Sequence, residues 1–199
     1  MDKESLKPNQ DPKGHIIMVL ARAKQSTYLL KTLMISFSIT DPLIFHIYDI
    51  QYRALYVDLY ILFDKQKNHL SIRKVLESNK NNLKSSVYED LITKFHTLEE
   101  KYSKVITTTV RIGNSIIRHL DPKVIPIIYG DYPNEDNAFE ITEVKSMLDE
   151  LIALLRRSEI FDENLFKQFD NLVEYAQIKR QLNLEIDNNR LSFFEINSH

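Results

Sequence analysis

The residues best suited to chemistry are three basic side chains and a histidine near the middle of the chain. Lys104, Arg111 and Arg118 are spaced by seven residues, and two turns of an α-helix return to nearly the same face, so they form one cationic stripe. His119 follows directly, close to the predicted end of that helix, where the helix dipole and Asp121 can hold it protonated. Such a group can bind phosphate and transfer protons, or it can simply be the charged end of a helix.

Gly113 lies within the same predicted helix. Glycine in a helix interior costs about 1 kcal/mol relative to alanine. Close packing against another helix, or a bound ligand, would explain its presence.

The composition predicts a helical protein and excludes several kinds of site. The 199 residues fit one domain and include only three glycines, fewer than β-rich or dinucleotide-binding folds use in their turns. The absence of cysteine excludes disulfides, thiolate zinc sites and cysteine nucleophiles. No glycine-rich phosphate loop or metal-binding motif is present, so the sequence predicts neither a metal nor a cofactor.

Carboxylate pairs are a weaker candidate for chemistry. Asp49 with Asp58, and Glu99 with Glu100, could be imagined as acid–base pairs, but helical carboxylates are common. We expect solvated helix faces at these positions and, for Asp58, a hydrogen-bonded position in the core.

The charge and hydropathy of the chain limit where it acts. The net charge of −2 argues against a large phosphate footprint but leaves room for a local basic site. The first residues do not resemble a signal peptide, and the most apolar run, Tyr28–Ile50, is interrupted by charged residues and Pro42. We therefore predict a cytoplasmic protein that does not span a membrane.

Helical spacing of the apolar residues predicts an all-α fold, an up-and-down bundle of four or five helices plus a short helix. The predicted domain organisation is a disordered leader over 1–12, a helical bundle over 13–183 and a tail over 184–199. Prolines and a glycine predict an irregular loop over 121–140. The predicted helices cover residues 13–39, 42–65, 72–77, 85–120, 142–157 and 163–183.

Two stretches resemble a known family. An apolar helix ending in Leu62-Phe-Asp-Lys65 is followed by Leu70-Ser-Ile-Arg73, and Asn114-Ser-Ile-Ile-Arg-His-Leu-Asp121 comes later in the chain. In order and spacing they resemble the AbiU-like abortive-infection branch of the HEPN superfamily, over roughly residues 29–158. The resemblance implies a HEPN-like helical bundle that forms a homodimer.

Active HEPN proteins are metal-independent ribonucleases with an arginine four to six residues before a histidine. The resemblance therefore implies that His119 is the general acid/base for attack of a ribose 2′-OH on the adjacent phosphate. An arginine would stabilise the charge of the transition state, and Asn114 would orient the phosphate or hold the helix end. The implied partners are single-stranded RNA and a cognate antitoxin or another defence-system protein.

The chain departs from the family pattern at Gly113, which occupies the position of the arginine. Arg111 and Arg118 are the nearest arginines and become the candidate catalytic cations, while Lys104, Arg73 and Lys123 are candidate phosphate-binding residues. Three hypotheses remain: an endoribonuclease of a phage-defence or toxin–antitoxin-type system, a catalytically degenerate scaffold that dimerises and binds RNA, nucleotide or protein, and a helical interaction module without nucleic acid.

Overall fold

The computed structural model describes residues 11–36, 42–66, 70–118 and 141–174, and every regular element in these ranges is helical. The predicted all-α bundle is confirmed. The predicted loop and tail, and residues 1–10 of the predicted leader, lie outside the described residues. A short 3-10 turn, Lys80–Asn82, accompanies helices α1 Pro12–Ser36, α2 Pro42–Phe63, α3 Ile72–Ser78, α4 Ser85–Lys101, α5 Ser103–Arg118, α6 Ile141–Arg156 and α7 over residues 163–174.

The first helix starts at a capping aspartate and a proline. Both carboxylate oxygens of Asp11 accept backbone hydrogen bonds, from Lys13 at 3.0 Å and Gly14 at 3.1 Å. Pro12 occupies the first helical position, where its missing N–H would have had no helical partner. These contacts satisfy free backbone donors of the first turn.

The second helix has the most extensive packing of the described helices. It packs against α1 on one side and α5 on another, and α6 contacts both α1 and α4. Only residues 37–41 connect α1 to α2, so two helices in such extensive contact must run antiparallel. Leu55, Leu59 and Leu62 of α2 are fully buried, as expected for a helix that is apolar around most of its circumference.

The prediction of one long helix over residues 85–120 is wrong, because the chain bends at Tyr102. This residue has φ −105° and ψ 26° and separates α4 from α5. Its ring is buried, and its hydroxyl donates a hydrogen bond of 2.8 Å to Glu150 on α6. The bend lets α4 pack against α6 while α5 packs against α2.

Ser71 stands at the N-cap position of α3, but its side chain makes no capping hydrogen bond. Its hydroxyl is buried without a hydrogen-bond partner. The backbone around it is extended, with φ −148° and ψ 169°. Packing of the short helix, and not a side-chain cap, therefore holds this turn.

Polar contacts join the first helix to the last two described helices. The ammonium of Lys24 is buried and pairs with Asp149 on α6, whose carboxylate also binds Lys145 at 3.0 Å. The side-chain amide of Gln25 donates to the backbone carbonyl of Leu172 at 2.9 Å. These contacts fix α1 against α6 and α7.

Candidate functional site

The fifth helix is positively charged, as is α1. It carries Lys104, Arg111 and Arg118 and contains no aspartate or glutamate. Lys104 and Arg111 are exposed, whereas the residues that follow them, Val105 and Ile112, are buried. Helix α5 therefore turns Lys104 and Arg111 to solvent and the adjacent apolar residues towards α2.

Packing on α2 fixes the orientation of α5. Val105, Ile106 and Ile112 belong to the core, and Thr108 and Thr109 are buried beside them. The hydroxyl of Thr109 has no hydrogen-bond partner. This is unusual, because a fully buried hydroxyl without a partner destabilises the fold. The apolar contacts of this face therefore decide which residues of α5 reach solvent.

Tyrosine side chains of α2 form the surface that Arg111 approaches. The rings of Tyr48 and Tyr52 stack with centroids 5.7 Å apart, and those of Tyr52 and Tyr56 meet edge to face at 5.0 Å. Burial raises the pKa of Tyr56 to about 12, although a hydrogen bond with Tyr52 and the nearby charge of Arg111 act in the opposite direction. Burial also raises the pKa of Tyr52. Both hydroxyls therefore stay protonated at neutral pH.

The sequence contained a signal for this tyrosine column. Tyr48, Tyr52, Tyr56 and Tyr60 follow one another at intervals of four, which places them on one face of a helix. The sequence prediction described α2 only as an apolar helix and did not connect its tyrosines with the candidate cations. The proximity of Arg111 to Tyr56 depends on how α2 and α5 pack together, and the spacing of residues along the sequence does not predict this packing.

Arg73 lies at the contact between α3 and α4. Its guanidinium forms a salt bridge with Glu99 and lies 3.4 Å from the ring nitrogen of His96. It also lies over the ring of Phe95, 5.9 Å from the centroid. Glu99 is close to the Tyr102 bend, and the 16 residues of α5 extend about 24 Å beyond it. The structure thus places Arg73 near the first turn of α5, away from its C-terminal end.

The remaining candidate residues are described only in part. The backbone of α5 is helical through Gly113 and Asn114 to Arg118, without an interruption at the glycine. His119 and Lys123 lie outside the described residues. The described geometry of the candidate site is therefore that of Lys104 and Arg111.

Asp58 is a buried carboxylate with its own cation, as expected for a hydrogen-bonded core position. Arg22 of α1 donates to it at 2.5 Å. Burial raises the pKa of Asp58, and the charges of Arg22 and His15 act against this rise. Asp49 instead binds Arg53 on its own helix, with an Nε to Oδ1 distance of 3.1 Å. The two carboxylates therefore serve separate ion pairs and do not form an acid–base pair.

Among the described residues, no group of three histidine, aspartate or glutamate side chains is placed to hold a metal ion. Within the same ranges no helix is long and apolar enough to cross a membrane. In comparisons with known proteins, no family model, no curated protein and no solved structure matches the chain.

Proposed function

We propose that this protein is a HEPN-like endoribonuclease that binds RNA through the cationic face of α5 and cleaves it without a metal ion. The observation that carries the proposal is the charge pattern of α5, where every ionisable residue is positive in a chain of net charge −2. Exposed Lys104 and Arg111 on this face are suited to bind phosphates.

The proposed chemistry uses the residues at the C-terminal end of α5. His119 accepts the proton of a ribose 2′-OH, whose oxygen attacks the adjacent phosphorus. The bond to the 5′ oxygen breaks, this oxygen takes up a proton, and a 2′,3′-cyclic phosphate remains. Arg118 and Arg111 stabilise the additional negative charge of the transition state, and Asn114 orients the phosphate. A homodimer would place two such ends around one RNA strand.

A cleavage assay tests the enzyme directly. Purified protein is incubated with total RNA and with tRNA in the presence of EDTA, and the ends of the products are identified. We expect 2′,3′-cyclic phosphate ends with the wild type and no cleavage with His119→Ala. His46→Ala, at an exposed position of α2, is the matched control and retains cleavage. Equal cleavage by wild type and His119→Ala would contradict the proposed role of His119.

A catalytically degenerate scaffold is the second candidate, and Gly113 favours it. A glycine stands where the family places its arginine, and the charge of Arg111 lies close enough to Tyr56 of α2 to lower the pKa of its hydroxyl. This candidate predicts RNA binding without cleavage. Absence of RNA binding would exclude the endoribonuclease and an RNA-binding scaffold, and would leave a scaffold for nucleotide or protein or a helical interaction module without nucleic acid.

The proposed cellular role is that of a cytoplasmic effector in a prokaryotic phage-defence or toxin–antitoxin-type system, held inactive by a cognate protein. The resemblance to the AbiU-like branch supports this role. Induced expression of the wild type in a bacterial host is expected to arrest growth, while expression of His119→Ala is expected to leave growth unchanged. Growth arrest by both proteins would separate toxicity from RNA cleavage.

A further inference from the structure

We propose that an apolar face of α2 pairs with the same face of a second copy of this chain. Six apolar residues lie on this face, at intervals that alternate between four and three residues. A helix with this repeat presents one continuous stripe to a neighbouring helix. These residues, which we call the α2 stripe, are Leu43, Ile47, Ile50, Ala54, Val57 and Ile61.

The α2 stripe reaches solvent, although other sides of α2 pack on α1 and α5. Leu43 and Ile50 are 66% and 48% exposed, and the other four members of the stripe are half-buried. Leu55 and Leu59, on the inner side of the same helix, are fully buried. The stripe extends over about 27 Å at 1.5 Å per residue. A partner helix lying along it would remove these side chains from water.

The first helix widens the apolar surface beside the α2 stripe. The ion pair between Arg22 and Asp58 aligns α1 with α2. Met18, which is 46% exposed, lies one turn before Arg22. Ile61 lies one turn after Asp58, so antiparallel packing brings it level with Met18. Three of the four large apolar side chains that are exposed in the described ranges therefore lie on one surface, and the fourth, Val87, is on α4. A contiguous patch of this kind marks an interaction site.

The charges beside the α2 stripe indicate what kind of partner fits it. On one flank Arg53 binds Asp49 at 2.7 Å, and on the other Arg22 binds Asp58 at 2.5 Å. Because both pairs are compensated within the chain, they select neither an acidic nor a basic partner. The fitting partner is another apolar stripe with the same repeat and compensated flanks. A second copy supplies it, and pairing of identical faces is the arrangement of a closed two-fold dimer.

The α2 stripe is separate from the proposed RNA-binding face. Tyr56, which lies near Arg111 of α5, is about 140° round α2 from Ile61, at about 100° per residue. Pairing through the stripe therefore leaves Lys104 and Arg111 exposed in both copies. The pairing does not depend on RNA binding, so either proposal can be refuted without the other.

Sedimentation equilibrium of the full chain over a range of concentrations tests the proposal. The wild type is expected to form a dimer that persists at high salt and after nuclease treatment, because apolar contacts are not screened and RNA does not bridge the copies. Ile50→Glu is expected to weaken the dimer at least about a hundredfold, because each dimer loses two apolar side chains worth about tenfold apiece. Val87→Glu, at an apolar position of α4 that is 38% exposed, is the matched control and keeps the wild-type dissociation constant.

A second variant keeps the test decisive. Circular dichroism reports whether each variant is folded, and should Ile50→Glu fail to fold, Leu43→Glu at the most exposed position of the stripe takes its place. A wild type that stays monomeric, or a dimer that dissociates with salt or nuclease, would overturn the proposal. Wild-type association of the folded stripe variant, or equal weakening by Val87→Glu, would overturn it as well.

Discussion

Removing either partner of the Lys24–Asp149 ion pair should have very different effects on stability. The side chain of Lys24 is 5% exposed, whereas that of Asp149 is 46% exposed and also binds Lys145 at 3.0 Å. Asp149→Ala leaves a buried ammonium without its anion. Lys24→Met removes the buried charge, fills its space with an apolar chain and leaves Asp149 with water and Lys145.

The magnitudes follow from this asymmetry. Breaking a fully buried pair by removing one partner costs about 3–5 kcal/mol. Because water reaches half of Asp149, we expect a smaller loss of about 2 kcal/mol for Asp149→Ala. Replacing a buried charge by an apolar side chain of similar shape is often neutral, so Lys24→Met should cost less than about 1 kcal/mol. The double variant should resemble Lys24→Met.

Urea unfolding of the four proteins at pH 7 measures these differences. Although burial raises the pKa of Asp149, hydrogen bonds from Lys24 and Lys145 lower it below its ordinary value of 3.8. A carboxylate with a lowered pKa in the folded state stabilises the fold above its unfolded pKa and loses this effect as the pH falls through the folded value. The loss in Asp149→Ala should therefore shrink below about pH 4. A larger loss for Lys24→Met than for Asp149→Ala would refute the reasoning.

Three further substitutions test individual features of the fold. Burial raises the pKa of Asp58 in the folded protein above its ordinary value of 3.8. As the pH rises from 3.8 through this raised pKa, the free energy of unfolding of the wild type should therefore fall relative to that of Asp58→Asn. If urea unfolding showed the same pH dependence for both proteins, this reasoning would be wrong. Thr109→Val removes a buried hydroxyl without a partner and should stabilise the protein by about 1 kcal/mol, whereas a loss in urea unfolding would indicate an overlooked contact. Glu159 has φ 55°, so Glu159→Gly should relieve strain of about 1 kcal/mol and raise Tm; a lowered Tm would count against strain at this residue.

Local signals were sufficient to predict most helix boundaries. Asp11, Pro12 and Pro42 mark helix starts, and the apolar spacing of α6 predicts that helix to within one residue at each end. Caps, prolines and periodicity act within a few residues of the position they determine. These features could therefore be predicted from neighbouring residues alone.

The bend at Tyr102 could not be predicted in this way. The apolar spacing from Leu98 through Tyr102 to Val105 continues at intervals of four and three, without proline or glycine. The contact that accompanies the bend is with Glu150, 48 residues later. A hydrogen bond between residues so far apart cannot be predicted from the spacing of residues in a single sequence.

In the candidate site, too, some features could be predicted from neighbouring residues and others depend on long-range contacts. The interval of seven predicts one charged face on α5, in agreement with the exposure of Lys104 and Arg111. The position of Arg111 beside Tyr56, and the salt bridge that holds Arg73 at Glu99, arise from packing between helices. Charge pattern can be predicted from spacing, whereas the partners of each charge depend on tertiary contacts.

The central claim is that the cationic face of α5 binds RNA, and the salt dependence of binding tests it most directly. Single-stranded RNA is titrated at several salt concentrations with the wild type, with Lys104→Gln/Arg111→Gln, and with Lys80→Gln/Lys167→Gln. The last variant removes two exposed positive charges from other elements. If each α5 cation neutralises one phosphate, the slope of log K against log salt should fall in magnitude by about 1.4 in the α5 variant and stay unchanged in the control. An unchanged slope in the α5 variant, or an equal change in both variants, would contradict the claim.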